Sequence, residues 1–243
     1  MELPGRQNEL IEQVVAANPN TVVVINAGAP VNLKWRNEVP AILEAFYPGM
    51  EGGNAIARIL LGEVNPSGKL PVTFPQRLED TPAFINSTYP GAREINYGEG
   101  IFVGYRYYDK RQLEPAFPFG HGLSYTQFKI GEINAAEVIE QGALVTMRVR
   151  IQNTGQVAGK EVVQLYVSDL ESSLPRPVKE LKGFQKIYLL PGEEREVSFT
   201  LQPRDLAYYD AHRKCWITEP GDYELCIGVS VEDIRVKKRF TLK

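Results

Sequence analysis

A carboxylate held between glycines is the first feature of this sequence that could take part in chemistry. Glu99 lies between Gly98 and Gly100, and the two glycines allow the backbone to approach another domain or a ligand. In the alternative, structural role, Glu99 forms an ion pair with Arg106 or Arg93 and orders its loop. We favour the structural role, because a buried or half-buried acid usually needs such a partner. Glu99 is nevertheless the leading candidate catalytic residue of the chain.

Metal-binding and redox side chains are scarce. The sequence contains two cysteines and two histidines, too few for a zinc-like cluster or a disulfide framework, so we expect neither a metal nor a cofactor. Cys215 and Cys226 flank a predicted hairpin, and free, packed thiols are preferred over a cross-strand disulfide. The sequon that begins at Asn86 matters only in a secreted protein.

Charge and hydropathy exclude several classes of partner. The net charge is -3, and the Lys and Arg residues are spread among acids, so we expect no nucleic-acid partner. The longest apolar run, residues 21 to 25, is far shorter than the ~20 residues of a membrane-spanning helix, so we expect no membrane partner. Residues 1 to 6 lack the basic segment and the apolar run of a secretory signal, and the localisation stays open.

The first part of the chain combines helical and buried-strand patterns. Apolar residues recur with helical spacing from residue 3 to about 17, and a β-branched strand follows at Val22–Ile25. A second strand is predicted at 42 to 46 and a second helix at 54 to 61. Such an alternation is typical of a parallel sheet covered on both faces. Because open sheets normally have about four to six strands, we predict that this segment is the end of an incomplete α/β sandwich domain.

After the second predicted helix, the composition and the hydrophobic periodicity of the sequence change twice. Between residues 65 and 128, periodicity gives way to Pro, Gly and aromatic residues, as in a functional or interface-forming loop region. A linker is the alternative, but linkers are poor in aromatics. Short alternating segments then predict an all-β, fibronectin type III-like (Ig-like) sandwich, with strands at 144 to 151, 161 to 167, 196 to 201, 223 to 229 and 235 to 242. We therefore predict an α/β domain at 1–128 and a β-sandwich at 129–243.

Six consecutive motifs resemble family 3 glycoside hydrolases, the group that contains many β-glucosidases. They follow the family order over nearly the whole chain. The motifs are Leu3-Pro4 with Gln7 and Leu10-Ile11, Asn18-Pro19-Asn20-Thr21-Val22-Val23-Val24, Ala45-Phe46-Tyr47-Pro48-Gly49 with Gly52-Gly53-Asn54-Ala55, Asn65-Pro66-Ser67-Gly68-Lys69-Leu70-Pro71, Tyr97-Gly98-Glu99-Gly100-Ile101 with Gly104-Tyr105-Arg106-Tyr107-Tyr108-Asp109, and Phe117-Pro118-Phe119-Gly120-His121-Gly122-Leu123-Ser124-Tyr125-Thr126. The terminal sandwich is similar to the family's fibronectin type III-like module.

The resemblance implies a retaining glycosidase with two essential carboxyl groups. Retention requires the two groups roughly 5 Å apart, one as nucleophile and one as acid/base. In the family, the nucleophile is an aspartate of a barrel domain, and the acid/base glutamate lies shortly before the helix that here begins near Leu3. Both are therefore expected upstream of Met1, and Glu2 is interpreted as a surface or capping residue.

The resemblance also implies that some aromatic residues bind a sugar. Aromatic rings stack on the CH-rich faces of sugars, so Tyr97, Tyr105, Tyr107 and Phe119 are candidate substrate-binding residues, although core packing is the more common fate of such side chains. We expect His121, which lies between two glycines, to be a hydrogen-bonded structural histidine.

Three hypotheses follow. The leading one is the C-terminal part of a β-glucosidase, inactive alone, whose partners are the N-terminal barrel domain and, in the full-length parent, a β-glucoside substrate. The second is a non-catalytic module that binds carbohydrate or another partner through the aromatic loop and the sandwich. The third is a self-sufficient hydrolase that uses Glu99 with another acid such as Asp109.

Overall fold

A computed structural model describes residues 1–84 and 93–243 of the chain. They fold into an α/β segment followed by a β-sandwich, which is the order that the sequence predicts. The sequon at Asn86 lies outside the described residues. Within the described ranges, no helix is long and apolar enough to cross a membrane.

Two helices and two parallel strands form the α/β segment. They are α1 (Gln7–Ala17), β1 (Val22–Ile25), β2 (Ala41–Glu44) and α2 (Gly52–Leu60). Strand β1 lies where the sequence predicts it, and it pairs in parallel with β2, with Val22 opposite Ala41. Helix α1 begins at Gln7 rather than at residue 3, because Gly5 has a φ of 58° and forms a turn that no helix can include.

A small apolar core joins these elements to the following loops. Trp35 and Phe74 are fully buried in it, and the Trp35 indole Nε1 donates a hydrogen bond to Asn8 Oδ1 at 2.9 Å. Several apolar side chains of the α/β segment lie outside this core. Exposed ones remain on α1, on β1 and at both ends of α2, namely Leu10, Val14, Val22, Met50, Leu60 and Leu61.

The stretch that the sequence predicts as irregular contains more structure than expected. It holds two short 3-10 helices, Leu78–Asp80 and Pro82–Phe84, and the helix α3 (Tyr105–Arg111). Hydrophobic periodicity does not reveal α3, because only two turns of polar and aromatic residues compose it. Its limits are set by left-handed backbone at Gly104 (φ 55°) and Gln112 (φ 53°).

The sandwich consists of two main sheets and a small hairpin. Its elements are β3 (Phe128–Ile130), β4 (Asn134–Ala135), β5 (Val138–Ile139), β6 (Val145–Asn153), β7 (Gly159–Asp169), β8 (Glu180–Leu189), β9 (Glu194–Leu201), α4 (Pro203–Leu206), β10 (Tyr208–Asp210), β11 (Cys215–Ile217), β12 (Gly221–Gly228) and β13 (Ile234–Leu242). One sheet has the order β5-β13-β12-β7-β8, and in the other β6 pairs with β3, β4 and β9. Strands β10 and β11 pair with each other.

Period-two alternation builds the sandwich core. In β6, Val145, Met147, Val149 and Ile151 are buried, whereas the residues between them point outward. The sequence did not predict strand β8, because its first half carries Lys182, Gly183 and other half-buried residues without a clear alternation. Tertiary pairing with β7 forms this strand.

Candidate functional site

The candidate carboxylate Glu99 lies in a surface turn next to Tyr97. Gly100 N donates to Tyr97 O at 3.2 Å and Phe102 N donates to Glu99 O at 3.0 Å, so the turn is closed by its own backbone. Tyr97 is 82% exposed and Glu99 is half-buried. Arg106, one of the two expected partners of Glu99, instead forms an ion pair with Glu180 of the sandwich at 3.1 Å.

Tyr105 and Phe119 pack α3 against the sandwich. Their rings stack with centroids 5.0 Å apart, and the Tyr105 ring meets Tyr166 of β7 edge-on at 6.0 Å. Leu181 N of β8 donates a hydrogen bond to the Tyr105 hydroxyl oxygen at 2.9 Å. Both rings also line a groove of about 550 Å³ between the loop that starts at Pro71 and α3. Among the described residues that line this groove, Arg106 carries a charge and none is a carboxylate, so they can hold a ring but supply no carboxyl acid or base.

Tyr107 is buried, in contrast to Tyr97. It is 5% exposed and packs edge-on against Tyr108, with ring centroids 6.0 Å apart. Burial raises the pKa of Tyr108 to about 12, and the charge of the nearby Asp80 contributes. The ring of Tyr107 therefore has no free face for a ligand, and its contacts are those of a packing residue.

Asp109 of α3 and Glu180 of β8 form ion pairs that join the two parts of the chain. Asp109 contacts Lys179 at 2.8 Å, and burial raises the pKa of Asp109 even though Lys179 opposes this rise. Glu180 contacts Arg106 and Arg176, and Lys182 lies 3.4 Å away. These contacts make a charged seam between α3 and strand β8.

Another ion pair joins the loop after α2 to strand β7 of the sandwich. Lys69 Nζ lies 2.8 Å from Glu161 Oε1 of β7 and also donates to Gly122 O at 2.8 Å. The neighbouring His121 stacks on Phe117 with ring centroids 5.3 Å apart. Burial lowers the pKa of His121, and the positive charge of Lys69 lowers it further. His121 is therefore half-buried and packed on Phe117, which agrees with a structural role.

Several smaller predictions can be compared with the structure. Both cysteines are free, as preferred, but only Cys226 is packed and Cys215 is exposed. The carboxylate of Glu2 accepts a hydrogen bond from Asn32 Nδ2 at 2.8 Å on the surface. No group of three or more His, Cys, Asp or Glu side chains in residues 1–84 and 93–243 could hold a metal ion.

The sequence pattern does not single out Trp216. The structure places it beside Tyr209 in the β10–β11 hairpin, with both rings half-exposed. The signal available in the sequence was an aromatic residue on each side of a short polar turn.

The fold defines the class to which the chain belongs. The model of the glycosyl hydrolase family 3 C-terminal domain matches residues 1–125, and that of the fibronectin type III-like domain matches residues 161–231. The chain therefore belongs to glycosyl hydrolase family 3 and corresponds to a C-terminal portion of its members.

Similar proteins within this family include several named as β-glucosidases. Thermostable beta-glucosidase B of Acetivibrio thermocellus is 46% identical over 100% of this chain and 34% of its own length. Beta-glucosidase BoGH3A of Bacteroides ovatus is 47% identical over 96% of this chain and 32% of its own length. The crystal structure of the Kluyveromyces marxianus β-glucosidase in complex with glucose superposes with a TM-score of 0.93 at 45% identity, covering 100% of this chain and 29% of that one. The chain thus spans about a third of the length of the relatives it matches.

Proposed function

We propose that this chain is the C-terminal part of a retaining β-glucosidase that hydrolyses terminal β-D-glucosyl residues. The observation that carries the proposal is the extent of the similarity. Relatives named as β-glucosidases are 44–47% identical over nearly all of the chain, and a solved one superposes on both parts of it with a TM-score of 0.93. Such a match over two successive domains supports the same role in the same kind of enzyme.

We further propose that the two catalytic carboxyl groups come from the N-terminal portion of the parent enzyme. Retention needs two carboxyl groups about 5 Å apart, both free to react. Asp109, the suggested partner of Glu99, is buried in its contact with Lys179, and Glu2 is held on the surface by Asn32. These contacts support a chain that is inactive alone, and they disfavour a self-sufficient hydrolase based on Glu99.

The role proposed for this chain is to complete and brace the enzyme. In the described part of the chain, strands β1 and β2 form a two-stranded sheet, and apolar residues such as Leu10, Val22 and Leu61 remain exposed in the same segment. Contiguous exposed apolar surface is typical of an interaction site. The remaining part of the α/β domain and the barrel are the proposed occupants of this surface.

Among the candidate sugar-binding residues, we retain Tyr97, Tyr105 and Phe119. Tyr97 is exposed and can stack on a sugar, whereas Tyr105 and Phe119 line the 550 Å³ groove. The burial of Tyr107 supports a packing role for it. We also keep the division into an α/β domain at 1–128 and a sandwich at 129–243 as a proposal; the first sandwich strand, Phe128–Ile130, lies at this limit.

An aryl β-glucoside assay of the purified chain tests this function. We expect no release of the aryl group above the buffer blank, because both reacting carboxyl groups are absent from the chain. Glu99→Gln and the matched control Glu94→Gln, an exposed acid of the same segment, are assayed in parallel. Turnover that is lost in Glu99→Gln and kept in Glu94→Gln would overturn the proposal in favour of a self-sufficient hydrolase.

A further inference from the structure

Two aromatic rings lie side by side on the surface of the β10–β11 hairpin. Tyr209 and Trp216 are directly opposite each other in the strand register, their ring centroids are 5.5 Å apart and their planes are inclined by 58°. The two side chains are 50% and 48% exposed. We call them the Tyr209–Trp216 pair. It forms an exposed aromatic surface whose two rings are inclined to each other.

Contacts around the hairpin hold the Tyr209–Trp216 pair in place before any ligand binds. The Arg204 guanidinium of α4 lies 3.6 Å from the centre of the Trp216 ring. Asp210 Oδ1 accepts hydrogen bonds from the backbone amides of His212 and Arg213 at 2.8 and 3.0 Å, which closes the turn between the strands. Rings that are held in place lose little conformational entropy when a ligand binds.

We propose that the Tyr209–Trp216 pair binds a β-linked gluco-oligosaccharide. In a β-glucopyranosyl unit every ring substituent is equatorial, so both faces of the ring present only C–H groups and can stack on an aromatic surface. The hydroxyl groups then lie around the rim of the stacked sugar. Exposed polar side chains border the pair in the same way, with Arg213 and His212 in the turn.

The size of the surface favours a small ligand over a protein. A fully covered aromatic side chain buries about 150–250 Å², so two half-exposed rings offer roughly 200 Å². A stable protein interface needs about 800 Å² from each partner. A sugar chain needs only ring faces and a few polar groups, and both are present here.

The same arrangement gives the sandwich a function of its own. It would hold a glucan chain without cleaving it, because the carboxylate of Asp210 is occupied by backbone amides and its pKa lies below the ordinary value for that reason. The proposal concerns binding without turnover, so its test is separate from that of the glucosidase proposal.

Titration of the full chain with cellohexaose, followed by ¹H–¹⁵N NMR, tests the inference. The chain has two tryptophans, and Trp35 is buried, so its indole signal is an internal control. We expect a saturable shift of the Trp216 indole signal and of the backbone amides of β10 and β11, with the Trp35 signal unmoved. The Trp216→Ala variant has no Trp216 indole signal, so its binding is measured from the backbone amide shifts. We expect this variant to bind cellohexaose roughly tenfold more weakly, or weaker still.

Two matched variants and one matched sugar complete the test. Trp216→Phe keeps an aromatic ring and should bind more tightly than Trp216→Ala. Phe184→Ala removes an exposed ring from β8 of the same sandwich and should bind like the unchanged chain. Maltohexaose, which has the same units in α-linkage, should bind more weakly than cellohexaose. The inference is overturned by an unmoved Trp216 signal, by equal affinities of Trp216→Ala and Phe184→Ala, or by equal affinities for the two sugars.

Discussion

Replacement of Lys69 tests how much one buried ion pair between the two parts of the chain contributes to stability. Lys69 belongs to the loop that follows the α/β segment, and Glu161 belongs to β7 of the sandwich. The two side chains are 11% and 9% exposed, and their charged atoms lie 2.8 Å apart. Lys69→Met keeps the aliphatic stem and removes the ammonium group, so it isolates the contribution of the charge.

The expected cost is large because Glu161 stays buried without its cation. Gly122 O loses its donor in the same variant. Removal of one partner from a buried ion pair costs about 3–5 kcal/mol, a large fraction of the 5–15 kcal/mol by which a domain is typically stable. Lys69→Met combined with Glu161→Gln removes both charges, and we expect it to be more stable than Lys69→Met alone by about 1 kcal/mol or more.

Urea unfolding measures this difference. Trp216→Phe is introduced into every variant, so that the tryptophan fluorescence reports the buried Trp35 of the α/β segment alone. Arg58→Met is the matched control, because Arg58 and Glu63 form an exposed pair with 60% and 57% exposed side chains at 3.4 Å. An exposed pair contributes about 0–1 kcal/mol. The reasoning is refuted if Lys69→Met costs no more free energy of unfolding than Arg58→Met.

Three further predictions concern single side chains of the sandwich. Asn153 is fully buried and donates to the carbonyl oxygens of Val157 and Leu189; Asn153→Ala should cost about 2 kcal/mol or more, seen as a lowered Tm. Burial opposes the ionisation of Glu180, but Lys182 and the neighbouring arginines outweigh it and hold the pKa of Glu180 below its ordinary value of 4.5. The ionised carboxylate therefore stabilises the folded chain above that pH, and this contribution is lost as the pH falls through the lower, folded-state pKa. We expect Glu180→Gln to make the decline of Tm in acid less steep. Burial raises the pKa of Cys226 to about 11, whereas Cys215 is exposed, so a maleimide at pH 7 should label only one thiol in the folded chain, measured by mass spectrometry.

Specific results would contradict each of them. An unchanged Tm of Asn153→Ala would mean that its buried partners find water or other donors. An equally steep acid decline in Glu180→Gln would assign the acid sensitivity to other carboxylates. Rapid labelling of both cysteines before unfolding would place Cys226 outside the packed cluster that it shares with Tyr166.

Local patterns predicted the elements whose packing repeats along the chain. The alternation in β6 and the β-branched run of β1 indicate their strands directly, because one face or both faces of each strand are buried at regular intervals. The two-domain order and the family also follow from the sequence, because the motifs extend over nearly the whole chain.

The features that the sequence did not reveal depend on contacts between distant segments. Helix α3 is stabilised when Tyr105 packs on the sandwich, and the partner of Lys69 lies on a strand 92 positions further along the chain, as the residue numbers 69 and 161 give. The sequence suggests Arg106 as one possible partner of Glu99. The tertiary structure instead brings Glu180 to Arg106, and no local pattern indicates that contact. Neither propensity nor periodicity contains this information.

A chimaera tests the central claim most directly. The C-terminal residues of the Kluyveromyces marxianus β-glucosidase that superpose on this chain are replaced by the chain itself, and hydrolysis of an aryl β-glucoside is measured. We predict that kcat/KM stays within about tenfold of that of the intact relative, a change of about 1.4 kcal/mol in transition-state stabilisation. A folded, monodisperse chimaera without turnover would contradict the assignment of this chain as the C-terminal part of a β-glucosidase.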